Sequence, residues 1–160
     1  MSKKNLKRVI VFGIAITIIL WSENTFPLSG TIPETGVNIK IQKEWKGFHS
    51  GYREAASLVI KTEEQWKEVW ERVHLLRLPR PELPKIDFQK EMVIAVFMGE
   101  RTSGGYSIEI IKITKTAEEI VVKVKEKEPP PGSLRTMALT QPFHIAVVKG
   151  FSLPVRFQNP

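Results

Sequence analysis

The chain has 160 residues, 42% of them apolar, and a formal charge of +7, which is room for one ordinary domain plus an extension. Lys3, Lys4, Lys7 and Arg8 supply four of those charges, and the remaining 24 − 4 = 20 basic against 17 acidic residues (+3) make a mixed surface rather than the clustered basic face that nucleic acid requires. The absence of cysteine excludes disulfides, thiol catalysis, thiolate zinc sites and lipidation at an N-terminal cysteine, while a single aspartate, Asp87, excludes calcium loops built on repeated Asp positions.

The first four cations precede VIVFGIAITIILW, residues 9–21, an uncharged run that would span about 20 Å as a helix, short of the roughly 30 Å of a hydrocarbon core. Basic flank plus short apolar run is the layout of a secretory signal, with a short uncleaved anchor as the alternative. Residues 1–22 are therefore read as signal peptide or membrane anchor, and residues 23–38, carrying Pro27, Gly30, Pro33 and Gly36, as a linker. The expected location is extracytoplasmic, either secreted or held at a membrane through this segment alone.

A domain over residues 39–158 follows. IKIQKEW (39–45) reads as a strand with Ile39, Ile41 and Trp45 on one face, and ASLVIK (56–61) as a second, joined to it by a hairpin centred on Ser50 and Gly51. Thr62 caps a helix with Gln65 completing a capping box, and Trp66, Val69, Trp70 and Val73 form its buried stripe. The helix fades near Leu76, because LRLPRPELP cannot continue it. Residues 92–98 are apolar on both faces, which predicts a central strand covered on each side. Residues 106–114 form the next strand, with a phase slip between Ile110 and Ile111 that predicts a bulge. Residues 119–127 alternate, with Ile120, Val122 and Val124 inward; residues 143–148 and 153–157 complete the set. The expected fold is mainly β (α+β), an antiparallel sheet or sandwich of about seven strands with one packed helix.

If the strands from Met92 onward run as an antiparallel meander, GERTSGG (99–105) and EPPPGSLRTMALTQ (128–141) lie at the same end. Neither loop carries obvious chemistry. The glycine run precedes a strand rather than a helix, has neither G-x-G-x-x-G nor P-loop spacing, and so is not a phosphate cradle. A serine hydrolase built from Ser103 or Ser107 with His144 as base lacks the final glycine of a nucleophile elbow and the strand-turn-helix context, and ranks a distant third among functions. In an alternating strand His144 is an outward or second-face residue. His49, His74 and His144 have no metal-ligand spacing, and Glu100 and Glu128 read as solvated glutamates; no cofactor and no metal are expected. Recognition remains. Gly104 and Gly105 allow close backbone approach, Tyr106 offers an amphipathic contact and Arg101 a planar charge, against the plainer reading that the glycines only serve a turn.

MVIAVFMGERTSGGYSIEI, then EPPPG, then QPFHIAVVKG and LPVRF, resembles the C-terminal domain of PrcB-type protease-complex subunits, over residues 88–157. The matching motif residues are Gly99, Glu100, Gly104, Gly105 and Tyr106, with the P-P-G and P-F-H runs next in specificity. The resemblance implies an exported, non-enzymatic accessory protein whose partner is another protein, a secreted protease, that it helps to assemble or stabilise. Lipoprotein members of the family need a cysteine, and this chain has none. A looser likeness joins Thr102, Gly104, Gly105 and Tyr106 to the first loop of chagasin-type peptidase inhibitors, which makes an inhibitor the alternative. The candidate partner-binding set is thus Gly99, Glu100, Arg101, Thr102, Ser103, Gly104, Gly105 and Tyr106, with Pro131, Gly132 and His144.

Overall fold

A computed structural model describes residues 36–159. The readings of residues 1–22 as an export segment and of most of the linker lie outside the described residues. Among the described residues no helix is long and apolar enough to cross a membrane.

The chain is mainly β. In order it forms β1 (Val37–Asn38), β2 (Lys43–Gly47), β3 (Ala56–Ile60), α1 (Glu63–Val73), β4 (Glu91–Phe97), β5 (Ser107–Lys115), β6 (Ile120–Lys127), β7 (Phe143–Lys149) and β8 (Val155–Gln158). These build two four-stranded sheets, β1-β5-β6-β8 and β2-β7-β4-β3. All pairings are antiparallel except β6 with β8.

Two cores explain the hydrophobic pattern. Met92, Ile94 and Val96 of β4 and Ala146 and Val148 of β7 face the other sheet, meeting Ile108, Ile110 and Ile113 of β5 and Ile120, Val122 and Val124 of β6. The opposite faces of the same two strands, Val93, Ala95, Phe97, Phe143, Ile145 and Val147, carry Trp66, Val69, Trp70 and Val73 of α1. Because β4 and β7 are covered on both sides, their sequences lose the alternation seen in β6.

The helix starts as expected. Thr62 Oγ1 accepts the Gln65 N–H at 3.3 Å, but the Gln65 side chain reaches past the cap and accepts from Lys61 N at 3.0 Å. α1 ends at Val73, three residues short of Leu76. The proline-rich stretch then folds back and takes both indole protons: Trp66 Nε1 donates to Pro84 O at 2.9 Å and Trp70 Nε1 to Pro81 O at 3.2 Å. Trp45 completes an aromatic cluster with both rings, at centroid distances of 5.6 and 5.3 Å.

Three expectations about connectivity are corrected. The segment 39–45 is not one strand. Ile39 and Ile41 pack into the inter-sheet core whereas Trp45 packs against α1, because the chain changes sheets between β1 and β2. The segment 47–55 is not a hairpin, since β2 and β3 occupy opposite edges of their sheet. Nor do the strands from β4 onward form a meander: β4 bonds to β3 and β7, while β5 bonds to β1 and β6. Alternation reports how many faces of a strand are covered, not which neighbour completes its hydrogen bonds. With β1 counted, the strands number eight among the described residues. The phase slip in β5 is present as a register shift between Ile110 and Lys112.

Candidate functional site

Both singled-out loops cross from one sheet to the other at one end of the sandwich, the first from β4 to β5 and the second from β6 to β7. They reach the same end by these crossings rather than by a meander. Backbone pairing locks them together. Arg101 N donates to Thr140 O at 2.7 Å and Thr140 N to Arg101 O at 2.9 Å; Gly104 N donates to Thr136 O at 3.0 Å. Thr140 Oγ1 adds a bond to Ser103 O at 2.9 Å.

A third segment, 48–55, is fastened to the pair. Glu100 N donates to Arg53 O at 2.9 Å, and Gln141 N to Phe48 O at 2.6 Å. The Gln141 side chain accepts from Gly51 N at 2.8 Å and donates to Glu100 Oε2 at 2.9 Å, so one amide ties all three segments. Gln141 was not singled out in the sequence; nothing in its local pattern distinguishes it.

The glycines divide by role. Gly99 has φ +80°, and a Cβ there would lie 2.9 Å from Ala55 N and 3.0 Å from Arg53 O, so the close approach of segment 53–55 requires glycine. Gly105 has φ +93° and would bring a Cβ to 2.8 Å from the Pro129 ring. These two serve the path of the backbone, whatever else the loop does.

What remains at the surface is Thr102 and Gly105, exposed, with Glu100, Arg101, Gly104 and Tyr106 half-buried. The Arg101 guanidinium donates to Glu100 O at 3.1 Å and lies 5.7 Å from the centre of the Tyr106 ring, whose body packs onto the inter-sheet core. Ser103 is buried. Pro131 and Gly132 are exposed on a turn organised by Pro130 O, which accepts from Ser133 N, Ser133 Oγ and Arg135 Nη2. Beyond that turn Leu134, Met137 and Leu139 stand 104%, 94% and 58% exposed. These three apolar side chains are the most surface-displayed feature of the loop. Their signal in the sequence was three apolar residues, spaced irregularly, in a segment with no strand or helix pattern to bury them.

His144 does not join this surface. It is 0% exposed, on the face of β7 that meets the other sheet. Its Nδ1 accepts the Ile110 N–H at 2.8 Å, which leaves the proton on Nε2, 3.1 Å from Glu44 Oε2 and positioned to donate to it. Glu44 also lies 3.6 Å from Lys46 Nζ, and Lys46 bonds Glu109 at 2.6 Å. Burial and the nearby Lys46 cation hold the His144 pKa below the usual histidine value, against the opposing pull of Glu44 and Glu109. The Glu109 hydrogen bond raises the Lys46 pKa, and Lys46 in turn lowers that of Glu109. With both ring nitrogens engaged, His144 is not hydrogen-bonded to Ser103 or Ser107, and the geometry of a Ser–His pair is missing here. Among the described residues no group of three His, Asp or Glu side chains could hold a metal ion.

Residues 92–149 match the family model described as PrcB C-terminal, the family that the sequence resembles. The matched span runs through β4, β5, β6 and β7 and contains both locked loops. Neither the curated proteins nor the solved structures yielded a match to the chain.

Proposed function

Starting from the PrcB C-terminal match of residues 92–149, we propose that this chain is an exported, non-catalytic accessory domain that binds a protease and helps to assemble or stabilise it. The contact surface is the joined pair of loops at the β4–β5 end. One observation carries the reading: loop 128–141 is hydrogen-bonded onto loop 99–105, yet it turns Leu134, Met137 and Leu139 into solvent. A segment whose backbone is held while its large apolar side chains are displayed is preorganised for a protein partner, since little ordering entropy is left to lose on binding. Export rests on the basic and apolar run of residues 1–22.

The same preorganisation supports a second reading, a peptidase inhibitor that presents the loop pair to an active-site cleft. The two separate in one experiment. Tagged full-length chain is used to pull partners from native extracellular and envelope fractions, followed by mass spectrometry and an assay of any protease recovered. A protease captured in stoichiometric amount and active in the complex supports the accessory role; one captured and silenced supports the inhibitor. Capture must weaken for the double variant Leu134→Ser, Met137→Ser. Absence of any specific protease, or capture indifferent to that variant, rejects the proposal.

A further inference from the structure

A second surface lies on the helix side of the molecule. Between the end of α1 and strand β2 runs an open groove of about 610 Å³, whose walls include Trp45, Phe48, Val73, Leu76, Arg77 and Phe143. Its floor is apolar: Trp45, Val73 and Phe143 belong to the helix-side core. Phe48 and Leu76 on its rim are 55% and 90% exposed, and Leu75 beside them is 57% exposed. Gly47 makes this floor possible. A Cβ at Gly47 would fall 2.6 Å from the Phe143 ring, so the bare backbone lets that ring lie under the strand.

One wall of the groove is a sheet edge. β2 is the terminal strand of β2-β7-β4-β3, and among the described residues no backbone hydrogen bond reaches its outer side. Five residues of edge strand extend about 17 Å, with half of their N–H and C=O groups directed away from β7. An edge strand facing a helix across an apolar trough is the geometry in which an extended peptide adds as a further strand, its backbone held by the edge and alternate side chains held by the trough.

Charge narrows the occupant. Glu44 and Lys46 also border the groove, but they are engaged with each other and with Glu109 and His144. The Arg77 side chain makes no hydrogen bond or ion pair among the described residues, which leaves one uncompensated cation beside the apolar trough. Of the preceding residues of the chain itself, 3–8 carry Lys3, Lys4, Lys7 and Arg8 and do not match that cation, whereas 22–35 carry Glu23 and Glu34 and are set against the partner segment in the test below.

We infer that β2 and the end of α1 form a peptide-binding groove for an extended segment of a partner protein, with an apolar side chain seated over Phe143 and a nearby Asp or Glu side chain paired to Arg77. This goes beyond the loop surface described above, uses different residues, and stands or falls separately from it.

The test uses the full chain, immobilised and screened against a displayed library of short randomised segments flanked on both sides by linkers, so that no free C-terminus is offered. Enrichment of segments with an apolar residue beside an Asp or Glu is expected, followed by direct binding of a synthetic consensus peptide. The double variant Phe48→Ser, Leu76→Ser alters only exposed side chains, so its thermal midpoint should be kept while peptide affinity falls by about tenfold or more. Arg77→Gln should erase the preference for acidic over amide side chains. Leu134→Ser, on the other surface, should leave peptide binding unchanged. The inference is overturned by a library without enrichment, or by enriched peptides that bind Phe48→Ser, Leu76→Ser as well as they bind the parent. It is equally overturned if binding tracks Leu134 instead. A peptide of residues 22–35 that outcompetes every enriched segment would show the groove to be filled by this chain itself, which also overturns it.

Discussion

The imidazole of His144 and the backbone N–H of Ile110 meet at 2.8 Å across the gap between the two sheets, at the residue where the β5 register shifts. A bulge disturbs the regular ladder around it, and a buried N–H left without an acceptor costs about 1–3 kcal/mol. His144 supplies that acceptor from β7, and Glu44 on the adjoining edge strand stands ready to accept the proton on the other ring nitrogen. The ring therefore belongs to the frame of the sandwich. His144→Leu keeps the apolar volume but orphans Ile110 N–H and should lower unfolding free energy by about 1–3 kcal/mol, read as a shifted urea midpoint with unchanged slope.

The same contact sets a pH dependence. His144 and His74 both have folded-state pKa values held below the ordinary one, in each case chiefly by burial. Below about pH 6.5 the unfolded chain takes up protons that these native side chains resist, so the unfolded state binds more protons and stability falls as pH drops. Stability is fully present above that value and is lost as pH descends toward the depressed folded values. Equilibrium unfolding between pH 5 and 7 should show this slope, and His144→Leu should make it shallower. A parent slope of zero would contradict the assignment of a neutral, buried His144.

Three glycines with positive φ should differ in their tolerance of alanine. Alanine at Gly99, Gly105 or Gly132 would in each case bear the left-handed backbone cost of about 1–2 kcal/mol that glycine avoids. At Gly99 the new Cβ also meets backbone atoms of Arg53 and Ala55, which cannot give way; at Gly105 it meets the Pro129 ring; at Gly132 it meets nothing within 4 Å. The expected order of destabilisation is Gly99→Ala, then Gly105→Ala, then Gly132→Ala, measured by thermal denaturation. An inverted order would mean that the loop repacks freely around segment 53–55.

Gln141 should act as the tie of the loop end. Gln141→Ala removes the acceptor of Gly51 N–H and the donor to Glu100 together, while the backbone bond to Phe48 O survives. Amide exchange at Gly51 should accelerate well before global stability suffers, because local opening needs only the loss of local contacts. Unchanged exchange at Gly51 would show that this bond carries no protection. By contrast Leu134→Ser and Met137→Ser, at fully displayed positions, should change stability by no more than about 0.5 kcal/mol.

The helix start offers a local check. Thr62→Ala removes the acceptor for Gln65 N–H and should cost about 1 kcal/mol. Gln65→Ala should cost less, since its side chain serves Lys61 N rather than the cap residue, and should not add fully to it, because both bonds hold the same first turn. Denaturant unfolding of the two single variants and the double variant closes the cycle.

Much of this was legible beforehand. The i, i+3, i+4, i+7 stripe from Trp66 to Val73 marks a helix face whatever covers it, the unbroken apolar run of β4 marks a strand covered twice, and the phase slip at Ile110 marks a bulge. The co-location of loops 99–105 and 128–141 was also anticipated, though by way of a meander the molecule does not contain. These features depend on spacing within one segment, and spacing is what a sequence carries.

Partnership is a different quantity. Ile39 and Trp45 have the parity of one strand face, yet one packs between the sheets and the other under the helix. His144 shares its face with Ala146 and Val148, and its parity could not foretell that β5 would present a displaced N–H and β2 a carboxylate within reach of the same ring. The groove under β2 exists only because Gly47, Phe143 and Leu76, far apart along the chain, converge beside an edge that no strand among the described residues covers. By itself the sequence determined the mainly β class, the helix with its buried face and the two loops set apart from the strands, because each follows from local periodicity or backbone freedom. Only the tertiary structure decided which strands pair, which histidines are buried and which apolar side chains stay outside, because hydrogen bonds and burial are completed by neighbours that local spacing does not name.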